Sequence, residues 1–184
     1  MPNTAPSHKP SKAGESPAPT GLPPRWPYAL ATVGVFLDQV TKQWFDANYA
    51  LGESQVVVPG FFHFTHARNT GAAFSLFDGH PSWLLLFSVL IFGLMALFRD
   101  HLFRRTALEQ VAYGFIVGGV LGNLIDRMKY GYVIDFIDWF IGDKHWPVFN
   151  LADVWICTGV GLYLLSQWRD PPPKPSPAGD ADGA

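Results

Sequence analysis

Val133-Ile134-Asp135-Phe136 and Phe149-Asn150-Leu151-Ala152-Asp153 each set a carboxylate at the mouth of an apolar segment, and hydrophobic chain with a turn lies between them. A carboxylate beside lipid is costly and is kept for a purpose. The connecting chain is short enough to fold the two acids onto each other. Two carboxylates that meet can share one proton and hold a water for hydrolysis. Such a pair needs a membrane protein whose polar groups gather at one face.

Working outward, four stretches approach the ~20 apolar residues that a ~30 Å hydrocarbon core requires. They run from about Trp26 to Phe45, Trp83 to Phe98, Ala107 to Ile125 and Leu151 to Trp168. The third carries Gly114, Gly118 and Gly122 at every fourth position, a spacing that lets a neighbouring helix approach closely. Lys9, Lys12, Arg25, Arg99, Arg104, Arg105, Arg169 and Lys174 fall in the two tails and the short second connection. The two long connections hold only Arg68, Arg127, Lys129 and Lys144. The positive-inside rule then places both termini in the cytoplasm and both long connections outside. Within residues 46–82, Gln55–Val58 and Phe61–Thr65 flank Pro59-Gly60 and read as two strands joined by a turn. The stretch 128–147 is aromatic throughout and reads as a lid or rim. The expected class is an all-α membrane protein with four transmembrane helices and a small extracytoplasmic β-sheet cradle. Residues 26–168 form its membrane domain, between disordered cytoplasmic tails at 1–25 and 169–184 that are rich in Pro and small residues.

Composition narrows the function further. A net charge of −2 over 184 residues does not point to a nucleic-acid partner. The single cysteine, Cys157, excludes a disulfide framework and a thiolate metal cluster, and reads as a small buried packing residue. His63 and His66 stand three apart on a strand and so face opposite ways, while His145 is alone in another loop; no metal site is expected.

The remaining polar residues carry two readings each. Asp38 and Lys42, one turn apart in the first span, form an ion pair that holds that helix to its neighbours. A catalytic Lys42 would want a serine, for which Ser75 is the nearest candidate, and the nucleophile-elbow pattern is absent. Asn123, Asp126 and Arg127 either cap and anchor the third span or support a site at the level of Asp135 and Asp153. Asn150 followed three residues later by Asp153 is a helix-capping pattern. Capping and catalysis are compatible, and the positive helix end favours an ionised Asp153, which leaves Asp135 to hold the shared proton. A transporter would thread its polar groups through the midplane and often show related halves; here they collect at one face without a repeat. A scaffold does not explain two acids at matched depth.

Five strings together resemble a known family, the lipoprotein signal peptidases (signal peptidase II). They are Asp38-Gln39-Val40-Thr41-Lys42, Arg68-Asn69-Thr70-Gly71-Ala72-Ala73-Phe74, Gly122-Asn123-Leu124-Ile125-Asp126-Arg127, Val133–Phe136 and Phe149–Asp153, in the family's order and spacing from about Trp26 to Trp168. The resemblance implies an aspartic protease of the bacterial cytoplasmic membrane that needs no cofactor. Its implied substrates are prolipoproteins carrying a diacylglyceryl group on cysteine, cut on the N-terminal side of that cysteine. It also implies Asp135 and Asp153 as the catalytic pair, and Asn69, Asn123, Asp126, Arg127 and Asn150 as supporting residues. Asp38 and Lys42 match a more peripheral pair. Inhibition by globomycin, contact with membrane lipid and function as a monomer complete the expectation.

Overall fold

The computed structural model describes residues 25–71, 81–103 and 106–171; the proposed tails beyond them, and Ser75 with Ala72–Phe74, lie outside the described residues. Among the described residues, nine elements follow in order. They are α1 (Trp26–Asn48), β1 (Ser54–Val58), β2 (Phe62–Asn69), α2 (Pro81–Leu97), α3 (Arg99–Leu102), α4 (Ala107–Tyr130), β3 (Val133–Ile141), β4 (Lys144–His145) and α5 (Leu151–Arg169).

The helix ends follow local chemistry. Pro27 sits in the first turn of α1, where its missing N–H costs nothing. Thr106 and Glu109 form a reciprocal capping box at the start of α4, and Asn150 and Asp153 form another at the start of α5. Gly131, at φ 78°, takes the left-handed conformation that ends α4 and turns the chain into β3.

Helix α4 is the spine. It packs against α1 on one side and α5 on another, with α2 also on its surface. The close approach to α1 is built on glycine: a Cβ at Gly118 would lie 3.0 Å from the Ala31 carbonyl oxygen, and one at Gly122 2.5 Å from Asp38 Oδ2. Apolar residues face outward on α1 (Val33, Phe36, Val40, Trp44), α2 (Trp83, Leu86, Phe87, Leu90) and α5 (Val160, Leu164, Trp168), while Asp38, Lys42, Glu109 and Asp126 are buried. Charged groups inside and large apolar groups outside are the arrangement of a bundle solvated by lipid. Only α4, among the described helices, is by itself long and apolar enough to cross a membrane. Asp38, Gln39 and Lys42 dilute α1, and α2 has 17 residues.

The expected all-α class needs correction. The four strands form one sheet in the order β1-β2-β3-β4, each neighbour antiparallel. The expected hairpin at 55–65 is β1 and β2, but β3 is a nine-residue strand where an aromatic lid or rim was expected. Asp135 therefore stands inside a strand, paired with Ala67. In Val133–Ile141 both faces are largely apolar, so the two-residue alternation that marks a half-buried strand is missing. One face meets the helices: Phe136 stacks on Phe45 of α1 at 4.2 Å and 12°. Such a contact contributes about 1 kcal/mol beyond its buried area.

Candidate active site

Three elements deliver the polar groups to one place. Strand β3 supplies Asp135, the start of α5 supplies Asn150 and Asp153, and the last turns of α4 supply Asn123, Asp126 and Arg127. Asn69, at the end of β2, completes the group.

Each oxygen of Asp135 accepts one amide: Asn69 Nδ2 donates to Oδ2 at 3.0 Å and Asn150 Nδ2 to Oδ1 at 2.6 Å. Asp153 is held the same way, by Asn123 Nδ2 on Oδ1 at 2.8 Å and the Asn150 backbone N–H on Oδ2 at 3.1 Å. Asn150 thus touches both acids, one through its side chain and one through its backbone. Its side-chain oxygen accepts from the Asp153 N–H at 3.1 Å, which closes the capping box. Capping and placement of the acids are one piece of geometry here.

Behind this pair lies a buried charge cluster. Lys42 Nζ is 2.9 Å from Asp38 and 3.1 Å from Asp126, and it donates to Asn123 Oδ1 at 2.8 Å. All three charged side chains are essentially inaccessible, at 0–1 %. Asn123 is fixed in orientation: its oxygen receives Lys42 and Asn150 (3.1 Å), and its nitrogen is left to donate to Asp153. The Asp38–Lys42 pair is consequently not peripheral. One amide separates it from Asp153. Asp38 Oδ1 also accepts the Ala152 N–H at 2.9 Å, so α1 helps to place the start of α5. Asp126 accepts the Ile134 N–H at 3.2 Å and so anchors β3 beside Asp135.

Asp135 and Asp153 open onto a cavity of about 670 Å³. Asn69, Asn123 and Arg127 share its polar end, and Trp139, Trp146, Pro147, Val148, Val154 and Cys157 make an apolar wall. Burial of Asp135, then the neighbouring Asp153 charge, push its carboxyl up to about 7, against the opposing pull of Asn69, Asn150 and Lys42. A carboxyl poised there can be protonated beside a second acid at neutral pH. Two such groups facing one void can activate a water and polarise a carbonyl between them. Arg127 donates to the Asn123 carbonyl at 3.4 Å and is placed to act electrostatically on Asp153, Asp135 and Asp126.

The profile described as Signal peptidase (SPase) II matches residues 30–169. The chain belongs to the signal peptidase II family. It is therefore an aspartic peptidase by class. This signal peptidase II chain is 42% identical over 159 residues to the lipoprotein signal peptidase of Serratia proteamaculans (strain 568), a span covering 84% of this chain and 92% of that protein. It is 47% identical over 146 residues to the lipoprotein signal peptidase of Microcystis aeruginosa, covering 77% and 91%. A solved bacterial membrane enzyme, determined by the in meso method, superposes with a TM-score of 0.73 at 32% identity, over 83% of this chain and 93% of that one.

In this signal peptidase II chain the structure gathers Asn69, Asn123, Asp126, Arg127, Asp135, Asn150 and Asp153 together with Asp38 and Lys42. Two features depart from the sequence expectations. Gln39 joins the cluster, donating to Asp126 at 2.8 Å and to the Gly122 carbonyl at 3.2 Å. Its signal was its place between Asp38 and Lys42. Cys157 is exposed on the cavity wall and is not a buried packing residue, because one helical turn separates it from Asp153 on the same face of α5. The histidines are separately engaged: His66 faces the Tyr49 carbonyl at 2.9 Å and Asp46 at 3.4 Å, and His145 meets Asp138 at 2.8 Å.

Proposed function

We propose that the chain is an aspartic endopeptidase that removes signal peptides from prolipoproteins whose cysteine carries a diacylglyceryl group, cutting on the N-terminal side of that cysteine. The observation that carries this reading is the pair Asp135 and Asp153, joined through Asn150 and facing one largely apolar cavity in a signal peptidase II chain. Asp153 acts as general base and takes a proton from the attacking water. Asp135, holding its proton, donates to the scissile carbonyl as the tetrahedral centre forms. Collapse of that centre breaks the C–N bond: the former carbonyl oxygen returns its proton to Asp135, and the proton gained by Asp153 passes to the departing amine, which is the new N-terminus of the lipidated cysteine. Water is consumed, both carboxyls return to their starting states and no cofactor enters. Asn69, Asn123 and Asn150 hold the two carboxyls, and Arg127 supplies positive potential as negative charge develops on the carbonyl oxygen.

The wider setting belongs to the same proposal. Helices α1, α2, α4 and α5 cross the bacterial cytoplasmic membrane, both termini are cytoplasmic, and the sheet lies on the outer face. The outward Val33, Phe36, Leu86, Phe87 and Leu164 support that placement, as does the bias in Lys and Arg. A substrate whose signal helix spans the bilayer presents its scissile bond and acyl chains at the bilayer surface, where the two acids would stand. The apolar wall of the cavity suits lipid as well as peptide. The chain acts as a monomer, and globomycin-type cyclic peptides block it by filling the same cavity.

The test is cleavage by the purified full chain in detergent of a prolipoprotein with and without its diacylglyceryl group. Cleavage of the lipidated form alone is expected. Equal cleavage of both forms, or of neither, overturns the reading.

A further inference from the structure

Strand β3 has two chemically different faces. Val133, Asp135 and Trp139, at two-residue spacing, line the cavity. Asp138 projects to the opposite face, where it is 5% exposed. There its two oxygens take separate partners: Thr65 Oγ1 donates to Oδ2 at 3.1 Å, and His145 Nδ1 meets Oδ1 at 2.8 Å. Thr65 continues to Ser54 Oγ at 2.9 Å. Ser54, Thr65, Asp138 and His145 come from β1, β2, β3 and β4, so one polar side chain from every strand joins a single chain of hydrogen bonds.

The far end of that chain is the structurally weak one. Strand β4 has two residues, pairs only through Phe140↔His145 and Ile141↔Lys144, and follows a turn with Gly142 at φ 59°. A ladder that short has little cohesion of its own. Yet the chain leaves β4 directly into Trp146, Pro147, Val148 and Phe149, which line the same cavity as Asp153. The Trp146 N–H returns to the Trp139 carbonyl at 2.8 Å, and the His145 ring stacks on Phe140 at 4.7 Å. The His145–Asp138 bond ties the start of this wall to the sheet, and the backbone bridge between Phe149 and Ile137 holds its far end. The carboxyls of the two acids are themselves held by Asn69, Asn123 and Asn150.

We propose that Asp138 and His145 are positioning residues that hold the 146–149 wall of the cavity and thereby set substrate affinity, while leaving the chemistry at Asp135 and Asp153 untouched. The inference rests on the cavity being the substrate site. It separates two quantities that a general loss of fold would lower together, because a wall that touches bound substrate and product-forming complex alike changes KM and not kcat.

His145 is half exposed, so its replacement leaves the core intact. In the full chain in detergent, His145→Ala is expected to raise KM for lipidated substrate roughly five- to ten-fold, the scale of one hydrogen bond, with kcat within about two-fold of wild type. His145→Asn, whose side-chain N–H can reach the same Asp138 oxygen, is expected to recover most of the lost affinity. Hydrogen exchange gives a readout free of activity: the Trp146 amide should exchange faster in His145→Ala than in wild type or His145→Asn, with the Asp153 amide unchanged. An unaltered KM, a fall in kcat at constant KM, or an Asn variant no better than Ala overturns the proposal. If wild type leaves the lipidated substrate uncut, the functional reading fails by itself, and the Trp146 exchange rate still decides whether the pair holds the wall.

Discussion

Asp135 and Asp153 are the same residue type facing the same cavity, yet they stand on unlike supports. Asp135 sits mid-strand, held by two side-chain amides reaching across from β2 and from the start of α5. Asp153 sits in the first turn of a helix, held by one side-chain amide and one backbone N–H that belongs to its own capping box. The strand buries its acid and sets it beside a second charge, which raises its proton affinity. The helix start offers free N–H groups, which any carboxylate there can use. Unequal scaffolds thus differentiate two equal side chains, and this is how one pair can hold one proton.

The most severe way to break the comparison is to remove either acid. Asp135→Asn and Asp153→Asn are each expected to lower turnover at least 10²–10⁴-fold in a gel-shift assay on lipidated substrate. In both acids each oxygen already accepts a donor, so an amide leaves one donor facing another, at a cost of about 1–2 kcal/mol. Relief of repulsion between the two acids offsets part of that. Thermal unfolding should therefore show a folded protein in both cases. A variant that stays folded and retains turnover removes that residue from the pair.

Lys42→Met strikes the shared foundation of both acids. It leaves Asp38 and Asp126 buried without their cation, and Asn123 without the donor that orients it. Breaking a buried ion pair in this way costs about 3–5 kcal/mol. The expected outcome is a large fall in thermal stability and yield with some turnover left in the surviving protein. A stable Lys42→Met protein with no turnover at all would instead give the lysine a direct part in the reaction.

A pH series sharpens the difference between strand and helix. Asp135 binds its proton more tightly folded, at about 7, than its ordinary value of 3.8. A raised carboxyl contributes stability below its unfolded value and loses that contribution as pH rises through the folded one. Stability is therefore expected to fall between about pH 4 and 7 and to level off above, and turnover to decline as pH rises through about 7. Asp135→Asn should remove that step from the stability profile, as chemical denaturation across pH 5–9 would reveal; an identical step in the variant assigns it to another group. The smallest effect belongs to Asn69→Ala, which takes one of two amides from Asp135 and leaves Asp153 alone. A loss of about ten-fold in turnover is expected, and its alkaline decline should shift upward, because a donor that favours the charged form has gone.

Much of this was legible from particular residues. Asn150 and Asp153 announce a helix start wherever they precede an apolar run, and the four-residue glycine spacing of α4 announces a close neighbour without saying which. The neighbour is α1, and Gly122 lies against Asp38 because the two polar strings must meet. Strand β3 was opaque because both its faces are largely apolar, which erases the alternation that would have revealed it. The central place of Lys42 was hidden for a related reason. Spacing along one helix shows its pairing with Asp38, whereas Asp126 and Asn123 reach it only once α4 has packed against α1. Asp138 shows the same limit: three residues from Asp135 in sequence, it belongs to the opposite face of the sheet.

The cavity has a polar floor and an apolar wall, and the two differ in what they can tolerate. Asn69, Asn123, Asp135, Asn150 and Asp153 each serve another member of the network, so a change at one misplaces the rest. Val148, Val154, Cys157 and Thr158 line the wall outside that network and can be exchanged for neighbours of similar size. For a compound designed to fill this cavity, resistance would arise at the wall. One that takes most of its affinity from the floor leaves few substitutions that keep the enzyme active.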